Sequence, residues 1–445
     1  MRDLALTLFV LAMLPVILWR PHIGALMWAW MGFMNIHRLA YGFAYNFPYA
    51  AIIAATTLVA LPFRKERHPF PWGPIPLVLI LFVGWMSFTS LFAMGSPAAV
   101  YLEWNQVVKI HLMLLVTLWV IRSRERIDQL VWVIVVSIGF YGVKGGIWTV
   151  LTGGGQRVWG PPGGLIEGNN ELALALVMLL PFMYYLLTVS SRKIVRYGLF
   201  FAMVAVGFSI LGSHSRGALL AIVAAAAMLA LKSRHPILLG TIGAFALVAM
   251  IAFMPENWQT RMHTIETYEE DGSAVSRLHT WETIWNMAKD RPLVGAGFET
   301  ELEEIYTRYA PSPVTTTAAP HSIYFQALGE HGFVGLALFL VLLFLTWLAA
   351  SRIARRCRGV PDLQWAVQLA RMCQVSLLGF MVGGAFLGLL HFDLPYYVMG
   401  LVVMVDATLK ERAKSSPAAT PAVGPGRPRM DFPPPHPVRA QQVRR

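Results

Sequence analysis

The sequence predicts an all-α polytopic membrane protein, with about 12–13 transmembrane helices and one large extracytoplasmic loop. Three observations predict it. Of the 445 residues, 56% are hydrophobic and 13% charged, where soluble domains carry about 25% charged residues. Apolar runs recur along the chain, each long enough to cross about 30 Å of hydrocarbon. One long stretch, 255–321, leaves that pattern and is polar and acidic. Within lipid the backbone must satisfy its own hydrogen bonds, so the spans are helices.

The candidate spans are 4–19, 22–37, 47–63, 73–93, 104–121, 127–151, 170–189, 195–212, 216–231, 236–254, 322–349, 365–391 and 394–409. The first follows Met1-Arg2-Asp3, lacks a small-residue cleavage site and reads as a retained span. Alternate loops are basic: Arg64-Lys65-Glu66-Arg67, Arg122 to Arg126, Arg192-Lys193 with Arg196, Lys232-Ser233-Arg234, and Arg352 to Arg358. Basic loops stay in the cytoplasm. That rule puts 38–46, 94–103, 152–169, 213–215, 255–321 and 392–393 outside. Residues 254–320 hold eleven Asp/Glu and five Lys/Arg, a net −6, which leaves +18 for the rest of the chain. Thirteen spans with a cytoplasmic C-terminus put Met1 outside. Twelve, with one of the first two segments re-entrant or the two forming one unit, put it inside. Three regions follow: an N-terminal transmembrane region (1–165), a core with the large loop (166–409), and a Pro/Ala/Arg-rich tail (410–445) read as disordered and cytoplasmic.

Composition excludes several functions. The net charge of +12 lies in short loops, where it sets orientation, so no nucleic-acid partner is implied. Cys357 and Cys373 fall on the cytoplasmic side or inside a span and form no CxxC motif, so no disulfide is expected. No GxxxxGK[ST] loop exists, hence no cytoplasmic ATPase. No HExxH exists, and His214, His279, His321 and His331 lack metal-ligand spacing. The first outer loop, with His37-Arg38-Leu39-Ala40-Tyr41, offers no carboxylate, so the expected mechanism uses no metal and no cofactor.

Chemistry gathers at three helix starts predicted to face outward: Glu167-Gly168-Asn169-Asn170-Glu171, Ser213-His214-Ser215-Arg216-Gly217 and Pro320-His321-Ser322. Unpaired N–H groups and the positive dipole end favour anions there. Ser215 is a candidate N-cap. Arg216 just inside the membrane needs a partner, and Arg277 lies in the polar loop. Both would suit a lipid diphosphate, since Arg binds phosphate oxygens bidentately. A helix N-terminus disfavours imidazolium, which keeps His321 neutral and able to accept a proton from a hydroxyl. Blander roles stand beside these. Arg216 can snorkel, Arg277 can be solvated, His321 can be interfacial, and Asn169, Asn170 and Glu171 can simply cap a helix. Glu330 with His331 reads as a bundle-interior polar pair, and His391 with Asp393 as an interfacial turn. Glu269-Glu270-Asp271 reads as a solvated surface.

At these residues the sequence resembles the O-antigen ligase/polymerase superfamily of bacterial membrane glycosyltransferases. The resembling motifs are the 214–220 run from His214 to Leu220, Ser276-Arg277 through Trp281, Pro292-Leu293-Val294-Gly295-Ala296-Gly297, and the 321–335 run from His321-Ser322-Ile323-Tyr324 to Gly335. The last is the most specific. Trp19-Arg20-Pro21-His22, Asn35-Ile36-His37-Arg38-Leu39 and Gly42-Phe43-Ala44-Tyr45 resemble the O-glycosylation ligases associated with exosortase systems. The resemblance implies about twelve spans, a large periplasmic loop and a multi-pass place in the bacterial inner membrane. It implies metal- and ATP-independent transfer of a glycan from undecaprenyl diphosphate to an acceptor hydroxyl on lipid, polysaccharide or protein. Arg216 and Arg277 would grip the diphosphate, and His321 would act as base or orient the acceptor, with Ser215, His214 and Asn170 in support. Asn169-Asn170 departs from relatives that carry an acidic or basic residue before Asn. The rival readings are an O-antigen or exopolysaccharide polymerase, a transporter or flippase, and a non-catalytic scaffold. Charges gathered at loop ends and the lack of an inverted repeat weigh against a transporter.

Overall fold

The computed structural model describes residues 1–64, 66–232, 236–256, 258, 272–313 and 316–415. Lys65, Ser233, Arg234, the run Glu269-Glu270-Asp271 and the tail beyond Ser415 lie outside the described residues. The chain is an all-α polytopic membrane protein. In order, its helices are α1 (Arg2–Trp19), α2 (Pro21–Met34), α3 (Tyr49–Ala60), α4 (Pro74–Thr89), α5 (Pro97–Val120), α6 (Arg124–Leu151), α7 (Asn169–Val189), α8 (Lys193–Gly212), α9 (Arg216–Leu231) and α10 (Pro236–Phe253). After them come α11 (Gly272–Asp290), α12 (Glu303–Tyr309), α13 (Ile323–Arg356), α14 (Gln364–Gly383) and α15 (Asp393–Ser415). Among the described residues, seven helices are long and apolar enough to cross a membrane. Met1–Thr408 pack as one unit, and Leu409–Arg445 form a second.

Hydrogen bonds sort the loops of the first unit into two faces. On one face, Arg126 pairs with Glu66 at 2.7 Å, the Arg64 guanidinium lies 4.1 Å from the centre of the Trp119 ring, and Tyr185 donates to Asp128. This face collects the basic loops. On the other, Asn35 donates to Pro162 O, Ser96 N to Glu299, Met94 N to Ala296 O and Val158 N to Gly212 O. This is the large-loop face. The two sets are those that charge alternation separates.

The faces resolve the order of the first segments. Asp3 Oδ1 accepts from the N–H groups of Gly42 and Ala44, and Arg2 reaches Leu39 O. The chain therefore starts on the large-loop face, and α1 and α2 both run between the faces. Yet α2 and α3 have only 14 and 12 residues, about 21 and 18 Å at 1.5 Å per residue.

Arg277, expected in the polar loop 255–321, sits within it on α11, a 19-residue helix. Its stretch has almost no net hydrophobicity, so membrane-type patterning does not reveal it. Two sequence boundaries need correction. The span expected over 365–391 stops being α-helical at Gly383, and 384–392 turns over the large-loop face. The span expected from 104 begins at Pro97, where Ser96 caps it by accepting from Ala99 N.

Small residues bring helices together, because lipid is as apolar as leucine and burial alone gives little drive. On α6, Gly142 faces Leu176 of α7 and Val206 of α8, and a Cβ on Gly146 would collide with Ala205 O of α8. Helix α7, wedged among α6, α8, α9 and α14, has Leu172 to Leu179 at no more than 1% exposure.

Helix α13 is broken. Gly332 takes φ 68°, ψ −171° inside its 34 residues. The part after the break, 333–356, is about 36 Å long and can span alone. The part before it lies in the large-loop layer. A break frees backbone groups that lipid cannot satisfy, and the 292–297 segment satisfies them. Ala296 N donates to Gly329 O at 2.8 Å, Gly297 N to Glu330 O at 2.9 Å, and Phe333 N to Pro292 O at 2.8 Å. Trp85 Nε1 of α4 takes the last carbonyl, His331 O, at 3.0 Å. Both strands need glycine at the contact: a Cβ on Gly295 (φ +60°) would strike Gly329 O, and one on Gly332 would strike Leu293 O.

Gly332→Ala is expected to cost the left-handed penalty of about 1–3 kcal/mol plus the collision. Gly153→Ala, at φ +59° with open space around it, costs the backbone penalty alone. Thermal unfolding in detergent checks this. Equal losses in the two variants would refute the role given to the tight contact.

Candidate active site

The large-loop face carries the sequence-predicted residues. Helix α11 lies along the start of α13. Trp281 stacks on Phe325 with ring centres 5.0 Å apart and planes at 4°, and its Nε1 donates to Pro320 O at 2.7 Å. Tyr306 of α12 donates to Ala318 O, and Asn286 of α11 to Tyr309 O. Polar side chains thus tie the acidic segment to the residue that precedes His321.

His321 is half-buried, one residue before the N-cap Ser322, in a left-handed conformation with φ 43°. A non-glycine residue held there stores strain, of a kind that collects at functional sites. Arg277 lies one helical turn before Trp281. Burial first, and then the Arg277 cation, lower the pKa of His321 from its ordinary value. The imidazole is therefore neutral at pH 7 and holds a lone pair for a proton.

The structure joins the starts of α9 and α13 through one segment, 383–388. Gly217, next to Arg216, has Phe386 and Gly383 O within van der Waals reach of a Cβ, Gly384 packs on Ile323, and Gly388 lies against Gln326 and the backbone of His321. Tyr324 donates to Met381 O at 2.9 Å. Ser215 caps α9 by accepting from Ala218 N. His214, buried at φ 58°, bonds Gly154 O through Nε2 at 3.0 Å, which ties α9 to the 152–168 loop. Asn169, not Asn170, links α7 to this region, donating to Ser213 O at 2.7 Å. Gly168 is the N-cap of α7 and no side chain caps it.

Sequence reasoning missed His391. It lies in the turn before α15, yet its Nε2 is 2.6 Å from Glu330 Oε2 and it is buried. Gln326 bridges the same elements, donating to Glu330 Oε1 at 2.8 Å and accepting from Leu390 N at 3.0 Å. The expected pair Glu330–His331 is therefore part of a triad, and the expected turn is a buried clamp. Only the polar spacing Gln326-x-x-x-Glu330, one helical turn, hinted at a shared target.

Residues 200–340 match the family model described as O-Antigen ligase. That stretch, about a third of the chain, is similar to the O-antigen ligase family. Residues 1–191 match a family of unknown function (DUF5935), and no curated protein matches the chain. The O-antigen ligase match begins inside α8 and ends inside α13. It contains Arg216, Arg277, His321 and the break at Gly332. His391 lies outside it, in the part of the chain that follows.

Because the Arg277 cation opposes protonation of His321, Arg277→Ala is expected to move the imidazole pKa upward, towards 6.5. Protonation would then set in at higher pH than in the wild type. Histidine NMR titration of detergent-solubilised protein reads the shift, and an unchanged pKa would separate the two side chains functionally.

Proposed function

We propose that the chain is a glycan ligase of the bacterial inner membrane, working at its periplasmic face on an undecaprenyl-diphosphate-linked glycan. The observation that carries this reading is the neutral, half-buried His321 beside the Arg277 cation at the start of α13. His321 accepts the proton of an acceptor hydroxyl. The hydroxyl oxygen forms a bond to the anomeric carbon, and the bond from that carbon to the diphosphate oxygen breaks. The diphosphate leaves with the electron pair, and the configuration at carbon inverts. Arg277 and Arg216 stabilise the charge that develops on the leaving oxygens, a fixed electrostatic contribution. This route needs no metal in the transfer step. The likeness of the N-terminal motifs to exosortase-associated O-glycosylation ligases supports an acceptor of that class.

A groove supports lateral entry of the lipid. Between α6 and α8 lies an apolar cavity of about 680 Å³, lined by Val136, Phe140, Val143 and Leu199. It shares Lys144 and Ile147 with a second cavity of about 430 Å³ that reaches Arg157 and Trp159. Val158 N bonds Gly212 O, so this rim is joined to the end of α8, four residues before Arg216. An isoprenoid chain suits the apolar part, and the rim cations suit its phosphates.

In liposomes with a lipid-diphosphate oligosaccharide, wild type is expected to release lipid diphosphate and glycosylate an acceptor. His321→Ala should reduce the rate about 100-fold or more, the size of a general-base contribution. Donor crossing the bilayer without covalent change would make the protein a transporter instead. Products of many repeat units would make it a polymerase. In the same system Arg216→Ala should weaken binding of the lipid donor, and unchanged binding would remove Arg216 from the diphosphate grip.

A further inference from the structure

The cluster around Glu330 does more than close a turn. Glu330, His331 and His391 each present one ligand atom, and these atoms lie within 4.8 Å of one another. All three residues are buried, at 3%, 0% and 8% exposure. His331 Nε2 is 3.5 Å from Glu330 Oε2, has no hydrogen-bond partner, and is sealed from solvent.

The tautomer follows from the partner on the other ring nitrogen. Thr89 Oγ1 donates its single proton to Met86 O at 3.0 Å. It is also 2.8 Å from His331 Nδ1. In the tautomer in which Thr89 donates to Met86 O, Nδ1 donates to Thr89 and Nε2 keeps a lone pair. That lone pair faces a carboxylate oxygen. Two electron-rich atoms buried together repel unless a proton or a metal cation lies between them.

We propose that Glu330, His331 and His391 bind one divalent cation of the zinc type. Two imidazoles and one carboxylate are a known zinc donor set, and imidazole ligands disfavour magnesium and calcium. Bonds of about 2.0–2.2 Å in tetrahedral geometry separate ligand atoms by about 3.4 Å. The His331–Glu330 separation already matches this, and the His391–Glu330 contact has to open by less than 1 Å. The surroundings fit a cation. Thr89 lies behind His331, on the ring nitrogen that an outer partner of a metal-bound histidine orients. Gln326 holds the second carboxylate oxygen. Phe298 packs on both rings, with ring centres at 5.0 and 5.2 Å. Glu103 and Glu301 add negative potential at Glu330. With these ligands closed inside the fold, the ion fastens α4, the break in α13 and the turn before α15. Three protein ligands leave the fourth tetrahedral position to a water, and none of the three is His321, so the site stands apart from the transfer step.

The test needs no glycan substrate. Purified wild type is dialysed against Zn²⁺, freed of unbound metal and analysed for zinc. About one equivalent per chain is expected. Glu330→Gln and His391→Ala should lose it, and His279→Ala, on α11, should retain it. A chelator should lower the melting temperature of wild type and leave His391→Ala unchanged. If the two site variants do not fold, Co²⁺-loaded wild type decides. A visible spectrum of low-coordinate cobalt with histidine ligands supports the site. Its absence, or zinc in wild type at the level of His391→Ala, overturns the proposal and leaves the triad as a hydrogen-bonded clamp.

Discussion

The exchange of backbone hydrogen bonds at the break in α13 is the constraint on which the large-loop face depends. A helix interrupted at the edge of a membrane exposes carbonyl and N–H groups where little water can reach them. Here the 292–297 segment gives two N–H groups and takes one, and Trp85 supplies a third donor. The geometry leaves no room for side chains at Gly295 or Gly332. Once this junction forms, the first turns of α13 are held apart from the span below them. His321, Gln326, Glu330 and His331 are then displayed in one short stretch above the bilayer part of the helix.

The same junction explains why the acidic segment is folded and not loose. Helix α11 ends at Asp290, and the chain goes directly into the 292–297 segment. One end of α11 is thus anchored at the break, while Trp281 anchors its middle to Pro320 and Phe325. Arg277 inherits its place beside His321 from those two anchors. Electrostatic pairing across two elements is only as precise as the packing that aligns them, and here stacking and backbone bonds do the aligning.

Much of this was legible in the sequence. Each of the thirteen apolar segments contains a helix, because apolar length and flanking Arg or Lys report directly on the solvent. Alternation of basic loops separated the two faces correctly. Arg216, Arg277 and His321 were visible as charged or titratable groups at apolar boundaries. What was not legible came from contacts between distant residues. His391 and Glu330 are 61 positions apart, and a histidine in a two-residue turn looks interfacial. The break at Gly332 hides inside an unbroken apolar run, since hydropathy does not register φ. The glycines of the 292–297 segment were recognisable as a motif, but their purpose requires the partner strand. Helix α11 was missed because its burial is against protein on one side only, so its pattern carries no membrane-type signal.

The order in which the junction's parts are made follows from their positions in the chain. Trp85, Thr89 and the 292–297 segment all precede Gly332 in synthesis, so every donor needed by the broken backbone is present when α13 enters the membrane. His391 arrives later, after the remaining part of α13 and all of α14 have been inserted. Biogenesis therefore has two stages at this face: the break can be satisfied as soon as α13 is in place, and the turn before α15 locks over it at the end. A chain halted before that turn would carry a satisfied break with an open lid. Arrested nascent chains of different lengths would thus separate the insertion of α13 from the closing of the site.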